Sequence, residues 1–67
     1  MGDKINADDV FEHLESGQYV IIVGTGSMKP EGGTWYDSVS YRNPTGEWPD
    51  RIWTRQMSAF REKFKRV

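Results

Sequence analysis

"INADDVFEHLESG", residues 5–17, is the stretch whose reading decides the fold. Asn6 is a residue type that caps free helical amides, Asp8 and Asp9 suit the positive end of a helix dipole, and Ile5 and Val10 occupy the two positions of a hydrophobic staple. Val10, Phe11 and Leu14 then make one apolar stripe, and Gly17 supplies a left-handed residue to end the helix. The stretch predicts a helix over residues 7–16, lying on whatever the rest of the chain builds.

Beyond Gly17 the chain reads as strand. Tyr19, Val20, Ile21, Ile22 and Val23 form an apolar run rich in β-branched residues, bounded by Gly17 and Gly24, which predicts a central strand. "GTGSMKPEGGT", residues 24–34, predicts a loop. From Trp35 the chain alternates, with Trp35, Asp37, Val39 and Tyr41 on one face and Tyr36, Ser38, Ser40 and Arg42 on the other, which predicts a second strand. Residues 43–46, Asn-Pro-Thr-Gly, are turn chemistry, so a hairpin partner should come next; Pro49 confines its regular part to residues 51–54. In the tail, Met57, Phe60, Phe64 and Val67 fall at helical spacing while Phe60, Glu62 and Phe64 also alternate; periodicity alone leans to helix, with a closing strand as the alternative.

The chain has 67 residues, which predicts a single domain, with residues 1–17 as a helical region and 18–67 as antiparallel sheet and tail. So short a chain buries only about 60% of the surface it exposes when unfolded. The predicted core is Val10, Phe11, Leu14, Val20, Ile22, Val39, Tyr41, Ile52 and Phe60. With no cysteine there is no disulfide or thiolate metal site, and His13, the lone histidine, cannot assemble a zinc site by itself. Three Trp, three Tyr and three Phe must supply the packing that such staples would otherwise provide. No run approaches the ~20 apolar residues of a membrane span, and no apolar signal region follows the N-terminus, which predicts a cytoplasmic protein. Net charge is −1, with the bases gathered in the C-terminal half.

Between Tyr19 and Phe64 the chain resembles a small bacterial and phage family of uncharacterised domains. Its pattern is a Y-x-V-x-G strand, a variable loop, a V-x-Y-R strand and a closing W-x-R-P-x-x-x-F segment. The matching positions are Tyr19 to Gly24, then Val39, Ser40, Tyr41 and Arg42, then Trp53, Thr54, Arg55 and Phe60. The family's proline is Gln56 here, and its opening strand is replaced by the capped helix. The resemblance implies a phage-borne, strongly bent, SH3-like antiparallel sheet whose tail makes a helical turn and a last short strand, and it implies no catalytic activity. Together with the residue reading, the expected class is α+β: an N-terminal helix on a small, twisted, three- to four-stranded antiparallel sheet.

For function, the glycine-rich stretch is tested first. A P-loop needs Gly-Lys-Ser/Thr entering a helix, whereas here Lys29 is followed by Pro30 and then by a strand, so no nucleotide is expected. Acid–base candidates are His13 with Asp9, one turn apart on the predicted helix, and Asp37 or Asp50; no nucleophile, metal set or second acid accompanies them, so no enzyme and no cofactor is expected. Arginines interleaved with flat rings suit single-stranded nucleic acid, which makes Arg51, Arg61, Lys63, Lys65 and Arg66 the candidate residues of an alternative reading. The favoured reading is a protein-interaction or regulatory module docking on a protein partner or on a second copy, because Tyr, Trp and Arg are the residue types of binding hot spots. Trp35, Tyr36, Trp48, Trp53 and Arg55 are its candidate contacts, around an open sheet edge near Pro49 or a groove between the loop at 24–34 and the turn at 43–46.

Overall fold

The computed structural model describes residues 4–67. Those residues contain five strands and one short helix: β1 (Val10–His13), β2 (Tyr19–Met28), β3 (Tyr36–Arg42), β4 (Ile52–Gln56), α1 (Met57–Lys63) and β5 (Phe64–Arg66). All pairings are antiparallel, and the spatial order is β4-β3-β2-β1-β5. The molecule is therefore mostly β, and the expected N-terminal helix on a three- to four-stranded sheet is replaced by a five-stranded sheet whose one helix lies near the C-terminus.

The residues that resemble a helix start do a different job. Asn6 donates its backbone N–H to Asp9 Oδ2 at 2.9 Å, Asp9 N–H returns to the Asn6 carbonyl at 3.2 Å, and Asp8 takes a left-handed φ of +73° that no helix tolerates. Asp8 N–H then bonds the Ile22 carbonyl at 2.8 Å, and Ile22 N–H bonds the Asp9 carbonyl at 2.9 Å, so one amide and one carbonyl of this turn are taken up by β2. Gly17, at φ +75°, closes the β1–β2 hairpin instead of ending a helix, with its N–H on the His13 carbonyl at 2.8 Å. A ten-residue helix is marginal alone, whereas β1 gains a ladder on both sides, to β2 and to β5.

β2 runs further than its apolar stretch. Gly24 to Met28 continue the ladder against Ser40 to Tyr36 after a bulge between Ile22 and Gly24, so the predicted loop at 24–34 shrinks to residues 29–35. That loop is held by a turn in which Gly33 N–H meets the Pro30 carbonyl at 2.8 Å and Gly32 takes φ +74°, a position that needs glycine. β3 begins at Tyr36, and β4 spans 52–56, shifted from the expected 51–54. Between them, Gly46 N–H meets the Asn43 carbonyl at 3.2 Å and Arg51 N–H meets the Trp48 carbonyl at 3.1 Å, so two turns with Pro49 in the second carry the chain across. The tail uses both of its periods: α1 sends Phe60 inward, and β5 then lays Phe64, Lys65 and Arg66 beside His13, Glu12 and Phe11.

The core is Ile5, Phe11, Val20, Ile22, Val39, Tyr41, Phe60 and Phe64. Phe60 is the centre of a ring cluster, 5.1 Å from Phe11, 5.2 Å from Tyr41 and stacked at 4.3 Å on Phe64. Val10, Leu14 and Ile52, expected inside, are exposed. Strand parity explains the first and last: Val10, Ile21, Arg42 and Ile52 are cross-strand neighbours in one row on the face turned away from Phe11, Val20 and Tyr41. Leu14 lies in the hairpin loop. Ile5 and Phe64 replace them, delivered by the turn before β1 and by the last strand.

Candidate functional site

β4 and β5 are the two edge strands of the sheet, joined in sequence by α1, and residues of both line one hollow. That hollow is a groove of ≈ 430 Å³. Val20, Tyr41 and Phe64, all buried core residues, form its floor. Trp48, Trp53 and Arg55 stand on one side, and His13, Ser16 and Gln18 on the other.

Each wall is fixed by local bonding. Asn43 Nδ2 donates to Gln18 Oε1 at 2.9 Å, tying the β3–β4 connection to the start of β2. Ser16 N–H donates to His13 Nδ1 at 3.2 Å, and the imidazole packs on Phe64 at 4.9 Å. Arg55 donates from Nε to Tyr41 Oη at 2.8 Å, so its guanidinium is anchored by one edge. The Arg51 guanidinium lies 4.8 Å from the Trp48 ring and 5.4 Å from the Trp53 ring, a cation shared by two indoles. Trp48 is still 52% exposed and Trp53 38%, so both retain apolar surface to offer.

The five expected partner contacts divide. Trp48, Trp53 and Arg55 meet at the groove. Tyr36 at the other end of β3 and Trp35 just before it are five and six residues from Tyr41 and so roughly 17–20 Å along the strand. There the Tyr36 hydroxyl donates to Met28 Sδ at 3.9 Å and Trp35 is 67% exposed.

The five candidate nucleic-acid residues scatter as well. Arg51 lies against Trp48 and Trp53, which line the groove, whereas Arg61 shares a separate hollow with Asp37, Ser27 and Lys4. Lys63 is exposed at the end of α1, where its carbonyl accepts Leu14 N–H at 2.9 Å. Lys65 Nζ sits 3.7 Å from Glu12 Oε1. Arg66 bonds Asp9 Oδ2 at 3.0 Å and the Lys4 carbonyl at 2.9 Å, with its guanidinium 5.0 Å over Phe11. Those bonds tie β5 and the N-terminal turn together. The Asn6 amide and then the Arg66 guanidinium hold the Asp9 carboxyl below its ordinary value.

The acid–base candidates do not converge. Asp9 and His13 are four residues apart on extended chain, roughly 13 Å, with Asp9 on Arg66 and His13 on Ser16 and Phe64. Among the described residues no three His, Asp or Glu side chains gather as a metal site, and no helix is long and apolar enough to cross a membrane. Groove residues missed from sequence include His13, Ser16, Gln18, Val20, Tyr41 and Phe64. Tyr41 had a signal, since a hairpin turning at residues 43–46 places it near Trp53 on the partner strand, its observed cross-strand neighbour. No protein-family model, no curated protein and no solved structure matches this chain.

Proposed function

We propose that the protein is a small non-enzymatic interaction module that takes a short segment of a protein partner in the groove between β4 and the β1–β2 loop. The observation that carries this reading is the pair of half-exposed indoles, Trp48 and Trp53, set over a floor of buried rings. Large amphipathic rings held rigid beside an arginine are the anchors from which binding hot spots are made. The groove is also of the size that small binding sites use, about 300–1,000 Å³. Selection of peptides from an unbiased displayed library tests it: wild-type protein should enrich sequences that Trp53→Ala and Trp48→Ala no longer retain, while Trp35→Ala retains them. Enrichment of nothing, or of sequences indifferent to both tryptophans, removes the reading.

Arg51 between two indoles favours nucleic acid as the second reading, because ring and cation together stack bases and neutralise phosphate. Oligonucleotide affinity that falls steeply with salt, with a slope reduced by Arg51→Gln, would establish it. The engagement of Lys65 and Arg66 by acids on β1 and the preceding turn weighs against it.

A further inference from the structure

β4 is the uncovered end of the sheet. It pairs with β3 on one side only, all five of its residues are exposed, and among the described residues no strand meets its outer side. An edge of this kind presents a row of backbone donors and acceptors that a further strand can take up. Trp53 and Arg55, two residues apart, both face the groove, so they are spaced roughly 7 Å along the strand. Side chains i and i+2 of any extended peptide have that same spacing.

Charge selects among such peptides. Arg66 and Lys65 each have an acid partner, but Arg55 has no carboxylate within ion-pair distance among the described residues. Its Nε is spent on Tyr41 Oη, which fixes the plane of the guanidinium and leaves the Nη groups to meet a carboxylate. The other charged or titratable groups at this end are Arg51, held against the indoles, His13 on the far wall, and Glu47 on the loop rim.

We infer that the groove's ligand is an extended acidic segment of a partner protein, added as a strand to the edge of β4, with an apolar side chain against Trp53 and an Asp or Glu two residues away on Arg55. This rests on the interaction-module reading and adds backbone pairing and charge preference to it.

The test uses three blocked heptapeptides, Ser-Thr-Leu-Thr-Glu-Thr-Ser and its versions with Gln or Lys in place of Glu, titrated into labelled protein and followed by amide and indole NMR shifts. The Glu peptide should move the amides of residues 52–56 and the Trp48 and Trp53 indoles, and the Gln version should bind about tenfold more weakly, as expected for loss of a charge-assisted bond. N-methylation of alternate backbone amides should abolish binding in one of the two alternations, and Arg55→Glu, checked for folding by its thermal melt, should transfer preference to the Lys peptide. Equal binding of the three peptides, no binding of the Glu peptide, indifference to both methylation patterns, or an unchanged preference in Arg55→Glu overturns the inference. Trp53-dependent library peptides that carry no acid would overturn it while leaving the groove reading intact; absence of binding by any peptide removes both.

Discussion

Phe60 and Trp35 are both large aromatics in one small protein, and their surroundings give them opposite weights. Phe60 is fully buried against Phe11, Tyr41 and Phe64, whereas Trp35 is 67% exposed at a hairpin tip. Phe→Ala in a core costs about 3–5 kcal/mol, and a single core in a domain of this size rarely supplies more than about 3–5 kcal/mol in total. Phe60→Ala should therefore leave no cooperative denaturation transition, while Trp35→Ala should stay within about 0.5 kcal/mol of wild type in the same urea titration. Asp9 sets a pH dependence. Its folded value is lowered by the Asn6 amide and Arg66, so its contribution is present above the unfolded value of 3.8 and is lost as pH falls through the lower folded value. Asp9→Asn should lower stability at neutral pH and flatten the acid limb of a stability profile below pH ~4.

At the scale of elements, β1 shows local preference giving way to pairing. Asn6, Asp8, Asp9 and Gly17 are good helix-boundary residues and equally good turn residues, and nothing within residues 5–17 separates the two uses. What separates them is β5, which arrives from the far end of the chain and pairs Phe11 with Arg66 and His13 with Phe64. Removing residues 64–67 should therefore unfold β1 as well as β5, because it deletes the ladder partner and the ring stacked on Phe60; loss of cooperative melting and of dispersed amide shifts for residues 10–13 would record it. A truncated chain that kept those shifts would show that β1 stands on β2 alone. The strands β2, β3 and β4 were legible because apolar runs, alternation and the turn chemistry at residues 43–46 are local signals. The extension of β2 over residues 24–28 was not, since two glycines, a serine and a threonine carry no strand pattern and are held by β3 opposite them.

At the scale of the whole molecule, the five-stranded sheet has α1 joining its two edge strands in sequence, and residues from β1, β2, β3, β4 and β5 line the groove together. The pairing of Phe11 with Arg66 spans most of the chain, so a large loop must close before the last ladder forms. Refolding followed by tryptophan fluorescence should accordingly take milliseconds to seconds, and microsecond relaxation would contradict the dependence on that contact. By itself the sequence determined the inventory: one small core with rings in it, no cysteine, three of the five strands and the Asn-Pro-Thr-Gly turn. Only the tertiary structure decided that residues 10–13 are strand, that Val10, Leu14 and Ile52 face outward while Ile5 and Phe64 face inward, and that Trp48, Trp53 and Arg55 line one groove while Trp35 and Tyr36 stand apart from it. The physical reason is range. Propensity and periodicity act over a few residues, while strand parity, the meeting of β1 with β5 and the gathering of Val20, Tyr41, Trp53 and Phe64 around one groove depend on partners tens of residues away.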